Sequence, residues 1–133
     1  MTLNKEKISI WADSDVEYAV NRTNLIAHNF GFADRERNVL TIMVSELARN
    51  IYKYAKTGVI VIQKIEKNNK KGLEIIAEDN GPGISDIELA LKDGYSSNGT
   101  LGLGLAAVKR MSDEFVFDET RNIGTKINVV KWL

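Results

Sequence analysis

Residues 79–83 read Asp-Asn-Gly-Pro-Gly, and this stretch decides how the rest of the sequence is interpreted. Two glycines bracket the only proline of the chain, which predicts a sharp turn whose backbone passes close to another group. An apolar run at 73–77 precedes the turn and predicts a buried strand, while a polar, helix-compatible run at 85–92 follows it. We therefore expect Asp79 to lie at the end of a strand, facing whatever the glycines leave room for.

Composition narrows the class of protein. With 133 residues and 44% hydrophobic content, the chain is expected to form one domain over 1–133. Its formal net charge of zero argues against a nucleic-acid partner, and the absence of cysteine excludes disulfides and thiolate metal sites. The N-terminus lacks the apolar core of a signal peptide, and no apolar run approaches the length of a membrane span. These features predict a soluble, cytoplasmic protein without a membrane partner.

The periodicity of apolar residues predicts alternating strands and helices. Strands are expected at 7–12, 59–66, 73–79, 114–119 and 125–132, and helices at 16–29, from 34 to the turn at Gly58, at 86–93 and at 104–112. The second helix is expected to turn Val39, Met43, Leu47 and Tyr54, among others, toward the core. Strands that come in hairpins with helices between them predict an α+β fold. The expected form is a two-layer α/β sandwich with a mixed, mostly antiparallel sheet and helices on one face.

A second motif lies on the second predicted helix, where 46–50 reads Glu-Leu-Ala-Arg-Asn. Glu46 and Asn50 are four residues apart and therefore share a face of the helix, with Lys53 on a nearby face. A carboxylate, an amide oxygen and an ammonium group on one helix can serve as base, metal ligand and phosphate clamp. Such pairs are also common on helix surfaces, so taken alone this spacing leaves a purely structural role open.

A third motif is the glycine-rich stretch 99–105, Gly-Thr-Leu-Gly-Leu-Gly-Leu, which precedes a predicted helix. Its backbone amides and the helix N-terminus are suited to holding an anion. The stretch also matches the dinucleotide fingerprint Gly-x-Gly-x-x-Ala, but that fingerprint needs a strand before its first glycine, and a polar loop precedes it here. A Walker loop is excluded because Leu105 and Ala106, rather than Lys and Ser or Thr, follow Gly104.

Together, in this order and spacing, the three stretches resemble the nucleotide-binding boxes of the GHKL ATPase/kinase superfamily. These boxes are the glutamate/asparagine helix, the Asp-x-Gly-x-Gly turn and the Gly-x-Gly lid box. Across essentially the whole chain, the sequence is most similar to the switch serine-protein kinases of the bacterial stressosome. The resemblance implies the GHKL (Bergerat) ATP-binding fold and the use of ATP and Mg²⁺.

The resemblance also implies roles for single residues. Asp79 would accept a hydrogen bond from the adenine amino group, supported by Thr125 through water, while Gly81 and Gly83 let the backbone pass close to the base. Asn50 would bind the Mg²⁺ that bridges the phosphates, and Glu46 would be the general base toward the attacking serine hydroxyl. Further contacts to the nucleotide are implied for Lys53, Gly99, Gly102, Leu103 and Gly104.

The partners implied by the resemblance are STAS-domain antagonist or scaffold proteins of the stressosome, which would be phosphorylated on serine. The released kinase would then bind and activate a PP2C-type phosphatase that switches on the general stress response. Two alternatives remain open, an anti-sigma factor with kinase activity and a nucleotide-binding docking module without transfer activity. Related anti-sigma kinases carry a lid arginine, but no basic residue occurs between Lys92 and Lys109. Lys53 and Lys109 are therefore the candidates for the positive charge at the γ-phosphate.

Overall fold

The computed structural model describes residues 5–82, 104–118, 121 and 123–133, and within them strands and helices follow the predicted order. The predicted helix at 86–93 and the polar stretch after it lie outside these residues. The elements are β1 (Lys5–Ile10), α1 (Asp13–Phe30), α2 (Asp34–Asn50), a π-turn (Ile51–Ala55), β2 (Gly58–Lys67), β3 (Lys70–Asp79), α3 (Gly104–Met111), β4 (Glu114–Phe117) and β5 (Thr125–Trp132).

The strands form one five-stranded sheet in the order β1-β2-β3-β5-β4, and each neighbouring pair is antiparallel. The α+β sandwich is thus confirmed, but the sheet is not mixed among the strands that the structure describes. One reason is the tight connection between β2 and β3. Asn68 and Asn69 form a two-residue turn with φ of 53° and 66°, the left-handed conformation typical of the type I′ turns that join antiparallel strands.

One face of the sheet is buried against the helices. Ile60 pairs with Ile8 on one side and Ala77 on the other, and the three residues share the buried face. Ile75 and Val129 continue that face, and all five belong to a single core cluster with apolar residues of α1, α2 and α3. Alternate burial along the strands therefore places the helices on one side of the sheet, as predicted.

The end of α2 departs from the predicted helix. After Asn50 the chain forms a π-turn over Ile51–Ala55, and a π-turn has more residues per turn than an α-helix. Ile51 still reaches the core, but Tyr54 is rotated outward and is 43% exposed. The prediction that Tyr54 packs into the core is therefore wrong, because it assumed α-helical spacing through the π-turn.

The start of α1 is set by a local cap. The Asp15 carboxylate accepts hydrogen bonds from the backbone amides of Trp11 (3.0 Å) and Ala12 (3.1 Å), which ends β1 and opens the helix at Asp13. In the part of the chain that the structure describes, no helix has both the length and the apolar character needed to cross a bilayer.

Candidate functional site

The described parts of the three motifs lie on elements that pack together. The π-turn that continues α2 packs against β2 and β3, and α2 itself packs against α3. A β-carbon added at Gly81 would lie only 2.5 Å from the β-carbon of Ala55, so the turn after β3 lies directly on the π-turn. The glutamate/asparagine helix and the Asp-x-Gly turn are therefore in contact.

Asp79 is the last residue of β3, as the sequence predicts. It pairs with Gly58 of β2 on one side and with Thr125 of β5 on the other, so the two neighbouring strands fix its backbone. Its side chain accepts a hydrogen bond from the backbone amide of Gly81 at 2.9 Å through Oδ1. The carboxylate is thus held in a defined position by the turn that follows it.

The environment of Asp79 raises the pKa of its carboxyl group above the usual aspartate value. Burial is the main cause, since it disfavours the charged form. The backbone amides of Gly81 and Thr125 and the positive charge of Arg121 act in the opposite direction, whereas the nearby Glu78 carboxylate adds to the increase. A partly buried carboxylate with shifted pKa at the junction of three segments is typical of a ligand-binding group.

Two further glycines allow the backbone to pack tightly around Asp79. A β-carbon at Gly124, whose φ is +80°, would lie 2.0 Å from the Asp79 carbonyl oxygen. One at Gly58 would lie 2.6 Å from the Glu78 carbonyl oxygen and 3.0 Å from the Asp79 β-carbon. Nothing in the sequence marks Gly58 as part of the site, because a glycine after a helix is an ordinary helix stop.

Arg121, in the connection between β4 and β5, is a site residue that sequence reasoning missed. Its guanidinium donates to Glu78 Oε2 at 2.6 Å, to the Asp79 carbonyl oxygen at 3.1 Å and to Asn80 Oδ1 at 3.1 Å. Its Nε donates to the carbonyl oxygen of Ile123 at 3.3 Å. An arginine in a polar turn carries no sequence signal for such contacts, since they depend on which strand lies next to the turn.

Glu46 joins α2 to the start of α3. The residue is 9% exposed, and its Oε1 accepts a hydrogen bond from the backbone amide of Gly104 at 3.1 Å. Its Oε2 lies 3.5 Å from Nη1 of Arg49, whose side chain is 60% exposed and also donates to Ser45 Oγ. The structure therefore brings the first motif together with the last glycine of the third.

Asn50 and Lys53 lie at the end of the same helix. Asn50 is the last residue of α2 and follows Glu46 by four residues of regular α-helix, so the predicted shared face is present. Lys53 belongs to the π-turn, and its ammonium group lies 5.3 Å from the centroid of the Tyr54 ring. α-Helical spacing, which predicted that Lys53 lies on a face near that of Glu46 and Asn50, therefore does not determine the direction of the Lys53 side chain.

Comparison with known families identifies the fold. Residues 36–132 match the family described as histidine kinase-, DNA gyrase B-, and HSP90-like ATPases. The chain belongs to this ATPase family. The matched range contains all three motifs, at 46–50, 79–83 and 99–105.

Two curated relatives narrow the position of the chain within the ATPase family. Serine/threonine-protein kinase RsbT of Bacillus subtilis (strain 168) is 44% identical over 126 residues, which cover 95% of each chain. Anti-sigma F factor of Clostridium novyi (strain NT) is 29% identical over 125 residues, covering 90% of this chain and 71% of that protein. The similarity to RsbT confirms the sequence-based prediction of an ATP-using serine/threonine-protein kinase.

A solved structure shares the ATPase fold. In the crystal structure of the SiaB-SiaC complex from Pseudomonas aeruginosa, the matching chain superposes with a TM-score of 0.57. The match covers 98% of this chain and 90% of that one at 13% sequence identity, so it supports the fold alone.

The predicted Mg²⁺ site is consistent with the available donor set. Among the described residues, no group of three or more His, Cys, Asp or Glu side chains is arranged to hold a metal ion. Asn50 supplies an amide oxygen, and Mg²⁺ usually combines one or two protein oxygens with waters and substrate phosphates. A single amide oxygen therefore fits a metal ion that arrives with a nucleotide. Gly83, Gly99, Gly102 and Leu103 lie outside the described residues.

Proposed function

We propose that this protein transfers the γ-phosphate of ATP to a serine of a STAS-domain antagonist or scaffold protein. The observation that carries the proposal is the contact between Glu46 and the Gly104 amide, together with the packing of Gly81 on the π-turn. A carboxylate, a helix N-terminus and an adenine-reading aspartate then border one site. The similarity to the serine/threonine-protein kinase RsbT over 95% of each chain supports a side-chain hydroxyl as the acceptor.

In this proposal the Asp79 end of the site reads the adenine base. In its ionised form the carboxylate has only acceptor atoms, so it suits the exocyclic amino group of adenine rather than the carbonyl of guanine. The amide of Gly81 donates to Oδ1, which fixes the orientation of the carboxylate. Thr125, which pairs with Asp79 across the sheet, is proposed to support that contact through water.

Glu46 is proposed as the general base. The serine hydroxyl attacks the γ-phosphorus, its proton passes to the Glu46 carboxylate, and the bond from the γ-phosphorus to the β,γ-bridging oxygen breaks, which releases ADP. Oε1 is engaged by Gly104, whereas the 3.5 Å separation from Arg49 is long for a hydrogen bond. Oε2 is therefore the oxygen better placed to accept the proton.

Asn50, Lys53 and Gly104 are proposed to handle the phosphates. Mg²⁺, held by Asn50 and the phosphate oxygens, would neutralise part of the triphosphate charge. Lys53, on the π-turn next to that helix end, would add a positive charge on the phosphates. The Gly104 amide, now bound to Glu46, lies at the N-terminus of α3, where backbone amides favour anionic groups. Gly83, Gly99, Gly102 and Leu103 retain their proposed nucleotide contacts.

Phosphorylation would also control the partners. A phosphoserine carries nearly two negative charges and would repel the acidic groups of the kinase site. The freed kinase would then bind and activate a PP2C-type phosphatase. A second candidate function, an anti-sigma factor with kinase activity, is favoured by the similarity to Anti-sigma F factor over 90% of this chain.

A transfer assay tests the proposal. The full chain is incubated with Mg²⁺, γ-labelled ATP and a co-encoded STAS-domain protein, and label on serine is measured. Asn50→Ala is expected to abolish Mg²⁺-dependent transfer, whereas Asn38→Ala, an exposed asparagine on the same helix, should leave it unchanged. Transfer that survives Asn50→Ala contradicts the metal role. Co-purification with a sigma factor instead of a STAS protein favours the second candidate.

A further inference from the structure

The ladder between β3 and β5 ends at Asp79, and Arg121 contacts the residues around that end. Asp79 is the last residue of β3 in the ladder with β5, and Asn80 lies outside the sheet. The Arg121 guanidinium bonds to the side chain of the residue before Asp79, to the carbonyl oxygen of Asp79 and to the side chain of the residue after it. Three consecutive residues are thus held by one side chain.

We propose that Arg121 is a positioning residue for nucleotide recognition, holding the end of β3 so that the Asp79 carboxylate faces the base in one orientation. The proposal rests on the adenine-reading role of Asp79 given above. Arg121 itself acts through Asp79, because its contacts go to the backbone and to the neighbours of that residue rather than to its carboxylate oxygens.

The chemistry of arginine suits this task. The guanidinium is planar and presents its N–H donors in a fixed fork, so contacts from Nε, Nη1 and Nη2 define an orientation as well as a distance. The side chain is only 20% exposed, which limits competition from water. The 2.6 Å contact with Glu78 is a charge-assisted hydrogen bond, the stronger class. A lysine at this position would keep the charge but lose the fork.

The same contacts could instead serve stability alone, and Arg37 provides a matched comparison. Arg37 donates to Asn24 Oδ1, to the Phe32 carbonyl oxygen and to the Asp34 carboxylate, and its side chain is 19% exposed. It therefore ties a loop between α1 and α2 much as Arg121 ties the β4–β5 connection. Its contacts involve none of the residues of the proposed nucleotide site.

A double-mutant cycle on the full chain separates the two roles, with ATP dissociation constants measured by calorimetry and folding by thermal melting. In the wild-type background we expect Arg121→Ala to raise the ATP dissociation constant about ten-fold. In the Asp79→Asn background the same substitution should raise that constant by no more than about two-fold. Arg37→Ala should lower the melting temperature but change ATP affinity less than about two-fold. Should Arg121→Ala not fold, the cycle is run with Arg121→Lys, for which about a three-fold increase is expected.

The outcomes test the positioning role of Arg121 separately from the adenine-reading role of Asp79. Unchanged ATP affinity in Arg121→Ala overturns the positioning role, as does a full ten-fold loss in the Asp79→Asn background. An equal loss in Arg37→Ala also overturns it, because the effect would then reflect general destabilisation. If Asp79→Asn itself leaves ATP affinity unchanged, the adenine-reading role fails and the positioning role with it.

Discussion

The two ends of the candidate site are held in different ways. The Asp79 end comprises Gly58, Asp79, Gly81, Arg121 and Gly124, and the Glu46 end comprises Glu46, Arg49 and Gly104. At the Asp79 end, backbone lies against backbone with no room for a β-carbon, and an arginine makes several hydrogen bonds. At the Glu46 end, one 3.1 Å hydrogen bond links Glu46 to Gly104, and a longer ion pair with the exposed Arg49 lies within α2.

This difference matches what each end is proposed to do. A group that reads a base discriminates best when its position is fixed before the ligand arrives, because less ordering is needed on binding. A general base must exchange its partners during each turnover, so a carboxylate held by a single amide is easier to release. The fixed end therefore suits recognition, and the more loosely joined end suits the chemical step.

Glu46→Gln is expected to have the largest effect, and this effect should be on the rate of phosphate transfer rather than on ATP binding. Gln keeps an oxygen for the Gly104 amide but cannot accept the serine proton, so the transfer rate should fall about 10²- to 10⁴-fold. ATP affinity, measured by calorimetry, should stay near the wild-type value, and Glu17→Gln, on the exposed face of α1, serves as the control. A rate reduced less than about ten-fold would exclude Glu46 as the base.

Asp79→Asn is expected to act on binding instead. Loss of a hydrogen bond to a charged acceptor, worth about 1.5–3 kcal/mol, should weaken ATP binding about ten- to a hundred-fold. Asp13→Asn, exposed at the start of α1, is the control for a change of charge alone. A calorimetric titration that shows wild-type affinity in Asp79→Asn would remove the base-reading role.

The raised pKa of Asp79 adds a pH dependence with a definite sign. A carboxyl group whose pKa rises on folding binds its proton more tightly in the folded state. Ionisation of Asp79 therefore lowers the free energy of unfolding as the pH rises above the pKa of the unfolded state. Below that pKa the group is protonated in both states and this loss disappears. Nucleotide-free Asp79→Asn should therefore melt no lower than the wild type at neutral pH. Wild-type ATP affinity should fall as the pH drops through the raised pKa, while that of Asp79→Asn should stay flat. A marked loss of melting temperature in Asp79→Asn would contradict this sign.

Two glycine substitutions compare close packing with backbone conformation. Gly31 and Gly124 both have positive φ, but a β-carbon at Gly31 would meet only Leu133 at 3.8 Å. Gly31→Ala should cost about 1–2 kcal/mol of unfolding free energy from conformation alone. Gly124→Ala should cost about 1–3 kcal/mol more, because the Asp79 backbone must move, and should weaken ATP binding as well. Equal costs of the two substitutions in denaturant unfolding would contradict tight packing at the Asp79 end.

Arg49→Ala is expected to have the smallest effect. The Arg49 side chain is exposed and its contact with Glu46 is long, so its loss should change the unfolding free energy by less than about 1 kcal/mol and the transfer rate by no more than a few-fold. Denaturant unfolding and the labelled-ATP assay check both values. An effect on ATP affinity as large as that expected for Arg121→Ala would remove the contrast between the two ends.

Local sequence was sufficient for the parts of the fold that depend on neighbours along the chain. Strand periodicity placed the end of β3 at Asp79, and the polar turn between β2 and β3 marked a hairpin. The four-residue spacing of Glu46 and Asn50 fixed their shared face. The order of the three motifs then indicated the ATPase family and the α+β fold, because each motif is a short segment with its own backbone requirement.

Tertiary structure decided what depends on contacts between distant segments. The π-turn that exposes Tyr54 depends on how the end of α2 meets β2 and β3, which α-helical periodicity does not encode. The β5 alignment that brings the β4–β5 connection beside β3 gives Arg121 and Gly124 their contacts with Asp79. The sequence by itself determined which segments carry the site and which chemical groups they offer. Only the packing of those segments decided how firmly each group is held, because a residue's burial and hydrogen-bond partners come from chain that lies far away in the sequence.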